Sequence, residues 1–305
     1  MLCRDPYSPG GGVLYPCGRC RPCRINRRRL WTHRIILESR LHRTNGFFSL
    51  TYSDDHLPIS STNLPNLNPK HLQDWLKRYR AAISPSRMRF YAVGEYGDES
   101  QRPHYHVVAF GVGECCRGRT LRRPGSSRPQ WAACCQVCRL VGETWGLGDV
   151  DLGSVTVESA QYCAGYTVKK MTQADDFRLL GRHPEFARMS LKNGGIGSGF
   201  MKLVAEKMMS LGLDKRQVDV PSSLAHGRKE LPLGRYLMRT LRKELGRDAS
   251  TPAEVLEAIA LELRPLREAA FNNSRSFKKE VVNAGNQKVL NMETKAKIHK
   301  KGFRL

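Results

Sequence analysis

The 305-residue sequence contains no long apolar run, no apolar segment near its N-terminus and no internal repeat. A helix that crosses a bilayer needs about 20 apolar residues, so the first absence argues against a membrane partner. The second argues against secretion, because Arg4 and Asp5 are followed by Pro9–Gly12 where a signal peptide would have its apolar core. The third argues against a solenoid built from repeats. We therefore expect a protein that works in a cytoplasm.

Acidic residues are also scarce. The chain has 28 Asp and Glu against 51 Lys and Arg, which leaves a formal net charge of +23. This excess is larger than solubility requires and predicts a polyanionic partner such as DNA. Hydrophobic residues make up 40% of the chain, which is enough for an ordinary buried core.

The order of predicted elements favours an α+β fold. Phe47–Tyr52, Met88–Gly94 and His104–Phe110 have the composition of strands, and helices are predicted from Pro69, around Trp131–Trp145 and over Ser159–Met171. This alternation predicts a ferredoxin-like (RRM-like) antiparallel sheet with helices on one face. A mostly helical, basic C-terminal region is expected to follow it.

We expect four segments along the chain. Residues 1–23 form a Cys-rich basic arm, residues 24–200 a globular domain, residues 201–272 a helical accessory region and residues 273–305 a basic tail. The tail has nine Lys or Arg and two Glu with little apolar periodicity, so it is predicted to be disordered. A basic helix over Arg24–Arg43 and the tail are candidates for contacts with phosphates.

A His-x-His pair is the sharpest chemical feature. Alternate side chains of a strand share a face, so His104 and His106 point to one side while Tyr105 points to the other. The two imidazoles can then bind one metal ion. Taken alone, the pattern is equally compatible with two unrelated histidines on an exposed strand.

A nearby carboxylate favours the metal site. The short connection through residues 96–102 predicts an antiparallel hairpin, which brings Glu95 near His104. Two imidazoles and one carboxylate are suited to a divalent ion such as Mg²⁺ or Mn²⁺. Glu99 is a rival third ligand, although it falls in the predicted turn.

Two tyrosines and a lysine share a predicted helix. Tyr162 and Tyr166 are four residues apart and therefore lie on one helix face, which Lys169 shares, and Lys170 lies slightly to one side. The alternative is an amphipathic helix that packs two tyrosines between solvated lysines.

The ten cysteines are expected to be reduced in a cytoplasm. Cys17, Cys20 and Cys23 are spaced so that three thiolates can surround one structural zinc ion, with Cys3 as a fourth ligand. Another group, Cys134, Cys135 and Cys138, competes for that role or forms its own site. The alternative is a set of reduced cysteines in a basic DNA-binding arm.

Together these segments resemble the HUH endonuclease superfamily, and specifically the replication initiators of microvirus (gokushovirus-like) phages. The resemblance covers roughly residues 16–200 and rests on the order and spacing of several short motifs. They are Phe48–Tyr52, Gly94–Gly97, His104–His106, the Tyr162, Tyr166 and Lys169 triplet, Glu185–Ser190 and Pro16–Cys23.

The resemblance implies a catalytic domain over residues 24–200 that nicks single-stranded or origin DNA in a host cell. In such a reaction a tyrosine attacks the phosphate, giving a 5′-phosphotyrosyl link and a free 3′-hydroxyl that primes rolling-circle synthesis. It implies His104, His106 and Glu95 as ligands of Mg²⁺ or Mn²⁺, Tyr166 and Tyr162 as nucleophiles and Lys169 as the cation beside them. It also implies a host polymerase and a helicase as partners.

Three other classes of protein stay open. The first is a non-catalytic, zinc-containing DNA-binding protein, in which DNA binding would survive loss of His104 or Tyr166. The second is another HUH nuclease, although single-tyrosine transposases lack the tyrosine pair and relaxases usually carry three histidines. The third is a structural capsid or scaffold protein, which would explain the charge but not the order of the motifs.

Overall fold

The computed structural model describes residues 2–9, 13–126, 128–166, 176–227 and 229–301, and at residues 166 and 299–301 it describes the backbone alone. The chain divides into two compact units. One unit is Trp31–Leu203, and the other combines Met1–Leu30 with Val204–Leu305. In the described part of the chain, no helix is both long enough and apolar enough to cross a membrane.

The unit Trp31–Leu203 is built around one antiparallel sheet. Its strands are β1 (Asn45–Thr51), β2 (Arg89–Tyr96), β3 (Pro103–Phe110), β4 (Val150–Ser154) and β5 (Phe186–Met189), in the spatial order β4-β1-β3-β2-β5. Its helices are α1 (Arg21–Ser39), which begins in the other unit, α2 (Pro69–Ala82), α3 (Gln136–Trp145) and α4 (Val157–Tyr166).

The order of these elements confirms the predicted fold. From β1 to β4 the chain runs strand, helix, strand, strand, helix, strand, and the four strands lie in the order β4-β1-β3-β2. This is the ferredoxin-like arrangement. β5 extends the sheet by pairing with β2 through Tyr91–Gly94.

One face of the sheet and the helices α2 and α3 enclose the main core. Residues along β1 alternate between partly buried and buried, so Phe48 and Leu50 are fully buried there. α2 begins as its sequence predicts, with Asn68 accepting a hydrogen bond from the Lys70 amide and proline in the first turn. Its buried face includes Trp75.

The opposite face is covered as well. Almost every residue of β2 is buried, and a strand buried on both sides needs a layer on each. The predicted helical layer is α2 and α3. The second layer includes α1, whose Trp31 ring lies 5.1 Å from that of Tyr91, and α4, which contacts β2 and β3. The small buried residues Ala160 and Ala164 are part of α4.

The second unit contains a two-stranded hairpin and five helices among its described residues. They are α5 (Phe200–Ser210), whose first residues belong to the other unit, α6 (Leu213–Arg216), β6 (Ser223–His226), β7 (Lys229–Pro232), α7 (Gly234–Glu244), α8 (Ala253–Asn272) and α9 (Phe277–Lys301). α7 buries Leu237 and Leu241, and its Arg242 forms two hydrogen bonds of 2.7 Å with the Asp219 carboxylate.

The prediction of a disordered tail is wrong for Phe277–Lys301, which form α9. The helix contacts α8 and buries Val281 and Val289. The Glu293 carboxylate also binds Arg4, with the closest pair of atoms 2.8 Å apart. A few buried side chains and long-range ion pairs therefore order a segment that shows little apolar periodicity on its own.

Candidate active site

The two histidines of β3 lie on the sheet face opposite the main core. Tyr105, between them, points into the core as the strand periodicity predicts, and its hydroxyl donates a hydrogen bond of 2.8 Å to the Asn68 carbonyl. The ring centroids of His104 and His106 are 4.9 Å apart, with the rings nearly perpendicular. Both imidazoles are therefore available to a single point on that face.

Glu95 faces the two histidines from β2. The strands pair in antiparallel register with Glu95 opposite His104, as the predicted hairpin requires. Its Oε1 atom lies 2.7 Å from Nε2 of His104 and 3.1 Å from Nε2 of His106. The donor atoms of these three residues all lie within 4.8 Å of one another. Glu99 is exposed in the turn and is not part of this cluster.

The hydrogen bonds behind the imidazoles direct their lone pairs toward the cluster. Nδ1 of His104 lies 3.1 Å from the Arg102 carbonyl oxygen, which can only accept. Nδ1 therefore carries the hydrogen, and in the neutral ring Nε2 presents a lone pair toward Glu95. Two acceptors this close need a cation between them.

A divalent ion fits this geometry. Two ligands at right angles, each about 2.1 Å from an ion, are about 3 Å apart, and the two nitrogen–oxygen distances to Glu95 are 2.7 and 3.1 Å. Two imidazoles and one carboxylate leave coordination positions for substrate oxygens. The donor set therefore suits Mg²⁺, Mn²⁺ or a later transition metal.

Glu95 is held in its ionised form. The side chain is only 2% exposed, and burial by itself raises the pKa of a carboxyl group. The hydrogen bonds from His104 and His106 outweigh this effect, so the pKa of Glu95 lies below its usual value. A carboxylate acting as a metal ligand needs this ionisation.

Ser49 and Phe47 complete the surroundings of His106. Oγ of Ser49 lies 2.9 Å from Nδ1 of His106, and the Phe47 ring is stacked on the imidazole at 5.6 Å. In the β1–β3 register Ser49 is opposite His106. We did not predict either residue, although the alternation within Phe47–Thr51 would have indicated Ser49 once the register was known.

α4 brings Tyr162 to the same site. The Tyr162 ring lies 5.0 Å from His106, edge against face, and 6.2 Å from Phe47. Its side chain is 45% exposed, so a bound DNA strand can reach the phenol oxygen. The neighbouring Cys163 is fully buried.

The remaining predicted residues are described in part or not at all. Tyr166 is the last described residue of α4, and its side chain is outside the described part of the structure. Lys169 and Lys170 lie outside the described residues. The structure therefore brings together His104, His106, Glu95 and Tyr162, and Tyr166 follows Tyr162 by about one helical turn.

The predicted N-terminal cysteine cluster is also formed. The sulfur atoms of Cys3, Cys17, Cys20 and Cys23 all lie within 4.8 Å of one another. The sulfurs of Cys20 and Cys3 are 3.8 Å apart, and the Cys17 amide donates to the Cys3 sulfur at 3.3 Å. Cys134, Cys135 and Cys138 belong to a second cluster whose fourth member, Cys115, the sequence did not reveal.

Comparison with known proteins identifies a matching family. Residues 45–171 match the model of the family described as replication-associated protein ORF2. This segment contains the histidine pair, Glu95 and both tyrosines. No solved structure matches the chain.

Three curated relatives come from viruses of bacteria. The chain is 29% identical to replication-associated protein ORF2 of Spiroplasma virus 4, over 75% of this chain and 68% of the relative. It is 31% identical to replication-associated protein VP4 of Bdellovibrio phage phiMH2K, over 53% and 50% of the two chains. It is 29% identical to replication-associated protein ORF4 of Chlamydia phage 1, over 53% of this chain and 39% of that one. The match thus spans half or less of the last two relatives.

Proposed function

Because the chain belongs, through residues 45–171, to the replication-associated protein ORF2 family, we propose that it initiates rolling-circle replication by nicking single-stranded or origin DNA. One observation carries the proposal. Nε2 atoms of His104 and His106 converge on the Glu95 carboxylate at 2.7 and 3.1 Å, and the Tyr162 ring lies 5.0 Å from His106. A nucleophile thus stands beside a set of metal ligands.

His104, His106 and Glu95 would hold Mg²⁺ or Mn²⁺, which when bound offsets negative charge on the scissile phosphate. The chain itself positions the nucleophile. A tyrosine oxygen attacks phosphorus and forms the phosphotyrosyl bond, while the bond from phosphorus to the 3′ oxygen breaks. The phenol loses one proton and the departing 3′ oxygen gains one, so the products are a 5′-phosphotyrosyl strand and a free 3′-hydroxyl.

A cation close to the phenol would assist its ionisation. Free tyrosine has a pKa of about 10, so few phenols are ionised near neutral pH without help. We assign this role to Lys169, three residues after Tyr166. Tyr166 is then the first nucleophile, and Tyr162 serves the second transfer.

Two tyrosines allow the strand to be rejoined without hydrolysis. After one round of synthesis, the second tyrosine cuts the regenerated origin while the first still carries the old 5′ end. The new 3′-hydroxyl then attacks the first phosphotyrosyl bond, which releases a circle and conserves the phosphodiester bond energy.

The charge of the chain supports a DNA substrate. The net charge of +23 favours phosphate binding at many sequence-independent positions. The 3′-hydroxyl product would serve a host polymerase, and a helicase would open the duplex ahead of it, both in the host cytoplasm.

We also assign a structural zinc ion to the N-terminal cluster of Cys3, Cys17, Cys20 and Cys23. Four sulfur donors within 4.8 Å of one another support a tetrahedral site of the kind that thiolates form with zinc. The ion would fix the arm that precedes α1.

The test is a covalent adduct assay with the full chain, labelled single-stranded origin DNA and Mn²⁺ or Mg²⁺, resolved on a denaturing gel. Tyr166→Phe should lose most of the initial cleavage, and Tyr162→Phe should cut but release no circles. The double variant should form no adduct. Tyr15→Phe is a matched control, since Tyr15 is 45% exposed like Tyr162.

An adduct in the double variant would place the nucleophile elsewhere and overturn the assignment. Equal cutting by both single variants would overturn only the proposed order. Glu95→Gln should reduce cleavage or narrow the choice of metal, whereas Glu99→Gln, in the exposed turn, should leave both unchanged. The reverse result would move the third ligand to Glu99.

A further inference from the structure

A second group of four cysteines lies within the unit that carries the candidate active site. The sulfur of Cys115 is 3.8 Å from that of Cys134 and 3.9 Å from that of Cys135, and the sulfurs of Cys135 and Cys138 are 3.6 Å apart. Cys115 and Cys138 are buried, at 2% and 0% exposure. The four sulfurs thus form a compact group that is largely shielded from solvent.

These distances match a metal site and not a disulfide. A disulfide would bring two sulfurs to about 2.05 Å. Four thiolates at about 2.3 Å from a zinc ion are about 3.8 Å apart along each edge of the tetrahedron. The measured separations of 3.6, 3.8 and 3.9 Å all lie close to that edge length.

We propose that Cys115, Cys134, Cys135 and Cys138 bind one structural Zn²⁺ ion as a closed tetrathiolate site. Soft thiolate ligands in tetrahedral geometry select zinc over the hard divalent ions. Because four thiolates fill the coordination sphere, the ion has no open position for substrate and stabilises structure only. The inference does not depend on the nuclease reaction.

Neighbouring groups are placed to support thiolates at this point. The Leu121 amide donates to the Cys134 sulfur at 3.3 Å, and the Thr120 hydroxyl lies 3.5 Å from the Cys138 sulfur. Cys135 is the N-cap residue of α3 and Cys138 lies in its first turn. The amides at a helix N-terminus favour negative charge, so the sulfurs are in a suitable field.

The site joins both ends of an insertion to the fold. Residues 111–135 connect β3 to α3, with Cys115 near the start and Cys134 and Cys135 at the end. Between them, the Thr120 amide donates to the Leu152 carbonyl at 2.9 Å, and the Leu152 amide donates to the Thr120 hydroxyl at 2.7 Å. Leu152 belongs to β4, which is an edge strand of the sheet. Zinc would therefore hold the insertion against this edge, which otherwise presents unpaired backbone groups.

The experiment measures zinc per chain in full-length protein prepared under reducing conditions. All proteins carry His104→Ala and His106→Ala, so that the imidazole site adds no zinc. The parent chain should contain two equivalents, and adding either Cys115→Ser or Cys138→Ser should leave one. Cys116→Ser is the matched control, because Cys116 is adjacent to Cys115 but exposed and outside the cluster. It should retain two equivalents.

A second measurement covers the case in which the serine variants do not fold. Adding Cys3→Ser and Cys17→Ser removes the N-terminal cluster and leaves Cys115, Cys134, Cys135 and Cys138 intact. X-ray absorption at the zinc edge should then show four sulfur neighbours at about 2.3 Å and one equivalent of metal. Absence of zinc in this protein, zinc bound by nitrogen or oxygen, or a disulfide within the cluster would each overturn the proposal.

Discussion

The two faces of the sheet are made by the same three strands, and they use polar groups in different ways. On the core face, the Tyr52 and Tyr105 hydroxyls lie 2.8 Å apart, and Tyr105 also donates to a backbone carbonyl. On the other face, the donor atoms of His104, His106 and Glu95 point at one another across a single point. Polar atoms of the core satisfy one another, whereas those of the site converge where a ligand can bind.

The ionisation of the two faces differs in the same way. Burial raises the pKa of Tyr105 to about 12, so its phenol stays neutral and serves packing. Glu95 is also buried, but its pKa is lowered by the two imidazoles. Substitutions on the core face should therefore change stability, and substitutions on the site face should change metal binding and cleavage.

The largest effect is expected from the histidines. His104→Ala with His106→Ala removes two of three metal ligands, and we expect adduct formation to fall by at least about 1,000-fold, or about 4 kcal/mol. The cleavage rate at saturating Mn²⁺ and the far-UV circular dichroism spectrum are the measurements. His56→Ala, at an exposed position, is the control. Near-normal cleavage by the double variant would remove the metal hypothesis.

The core face should respond in stability alone. Leu50 is fully buried in β1, and replacing it with Ala should lower the free energy of unfolding by about 3 kcal/mol through lost burial and a cavity. Urea unfolding measures this change, with Ile59→Ala, 50% exposed, as the control. The affinity of the folded protein for Mn²⁺ should be unchanged. A large loss of affinity with no loss of stability would contradict the separation of the two faces.

The separation also shows what could be predicted from sequence. The alternation of β3 was sufficient to place His104 and His106 on one face and Tyr105 in the core. The short connection after β2 was sufficient to bring Glu95 opposite His104, because hairpin pairing is local. α2 could be located from Asn68 and Pro69 for the same reason, since a helix cap involves only neighbouring residues.

Residues whose partners are distant in sequence were missed. Ser49 supports His106 from 57 positions away, and its role depends on the β1–β3 register. Cys115 joins Cys134 from 19 positions away, across an insertion with no regular spacing. The order of α9 depends on Arg4, 289 positions from Glu293. Each of these contacts is fixed by tertiary packing and not by a local pattern.

A second polar cluster on the site face should affect stability through pH. Glu38 of α1 accepts hydrogen bonds from Arg89 at 2.5 Å and from the Gly197 amide at 2.6 Å. Burial works to raise its pKa, but His42, the Gly197 amide and Arg89 outweigh it, so the pKa of Glu38 is lowered. The resulting stability is therefore present above the unfolded pKa of about 4.3 and is lost as the pH falls through the lower, folded value.

Glu38→Gln should accordingly reduce the free energy of unfolding at pH 7 by about 2 kcal/mol, as expected for hydrogen bonds to a buried charge. Urea unfolding between pH 7 and pH 3 should show a shallower acid dependence in the variant than in the parent chain. Glu99→Gln, in an exposed turn, should follow the parent. If the parent and Glu38→Gln lose stability in parallel as the pH falls, Glu38 is not the group that titrates.

The smallest effect should come from Ser49, which touches the metal ligand and not the metal. Its Oγ lies 2.9 Å from Nδ1 of His106, and accepting the Nδ1 hydrogen keeps the Nε2 lone pair directed at Glu95. Loss of such a supporting hydrogen bond weakens metal binding by about tenfold or somewhat more. Ser49→Ala should therefore raise the Kd for Mn²⁺, measured by electron paramagnetic resonance, about tenfold. Cleavage at saturating Mn²⁺ should stay near the parent value, because the ligands themselves remain. Ser49→Thr keeps the hydroxyl and suits a strand, so it should restore the affinity. Equal weakening by Ala and Thr would mean that packing around Phe47, not the hydrogen bond, orients His106.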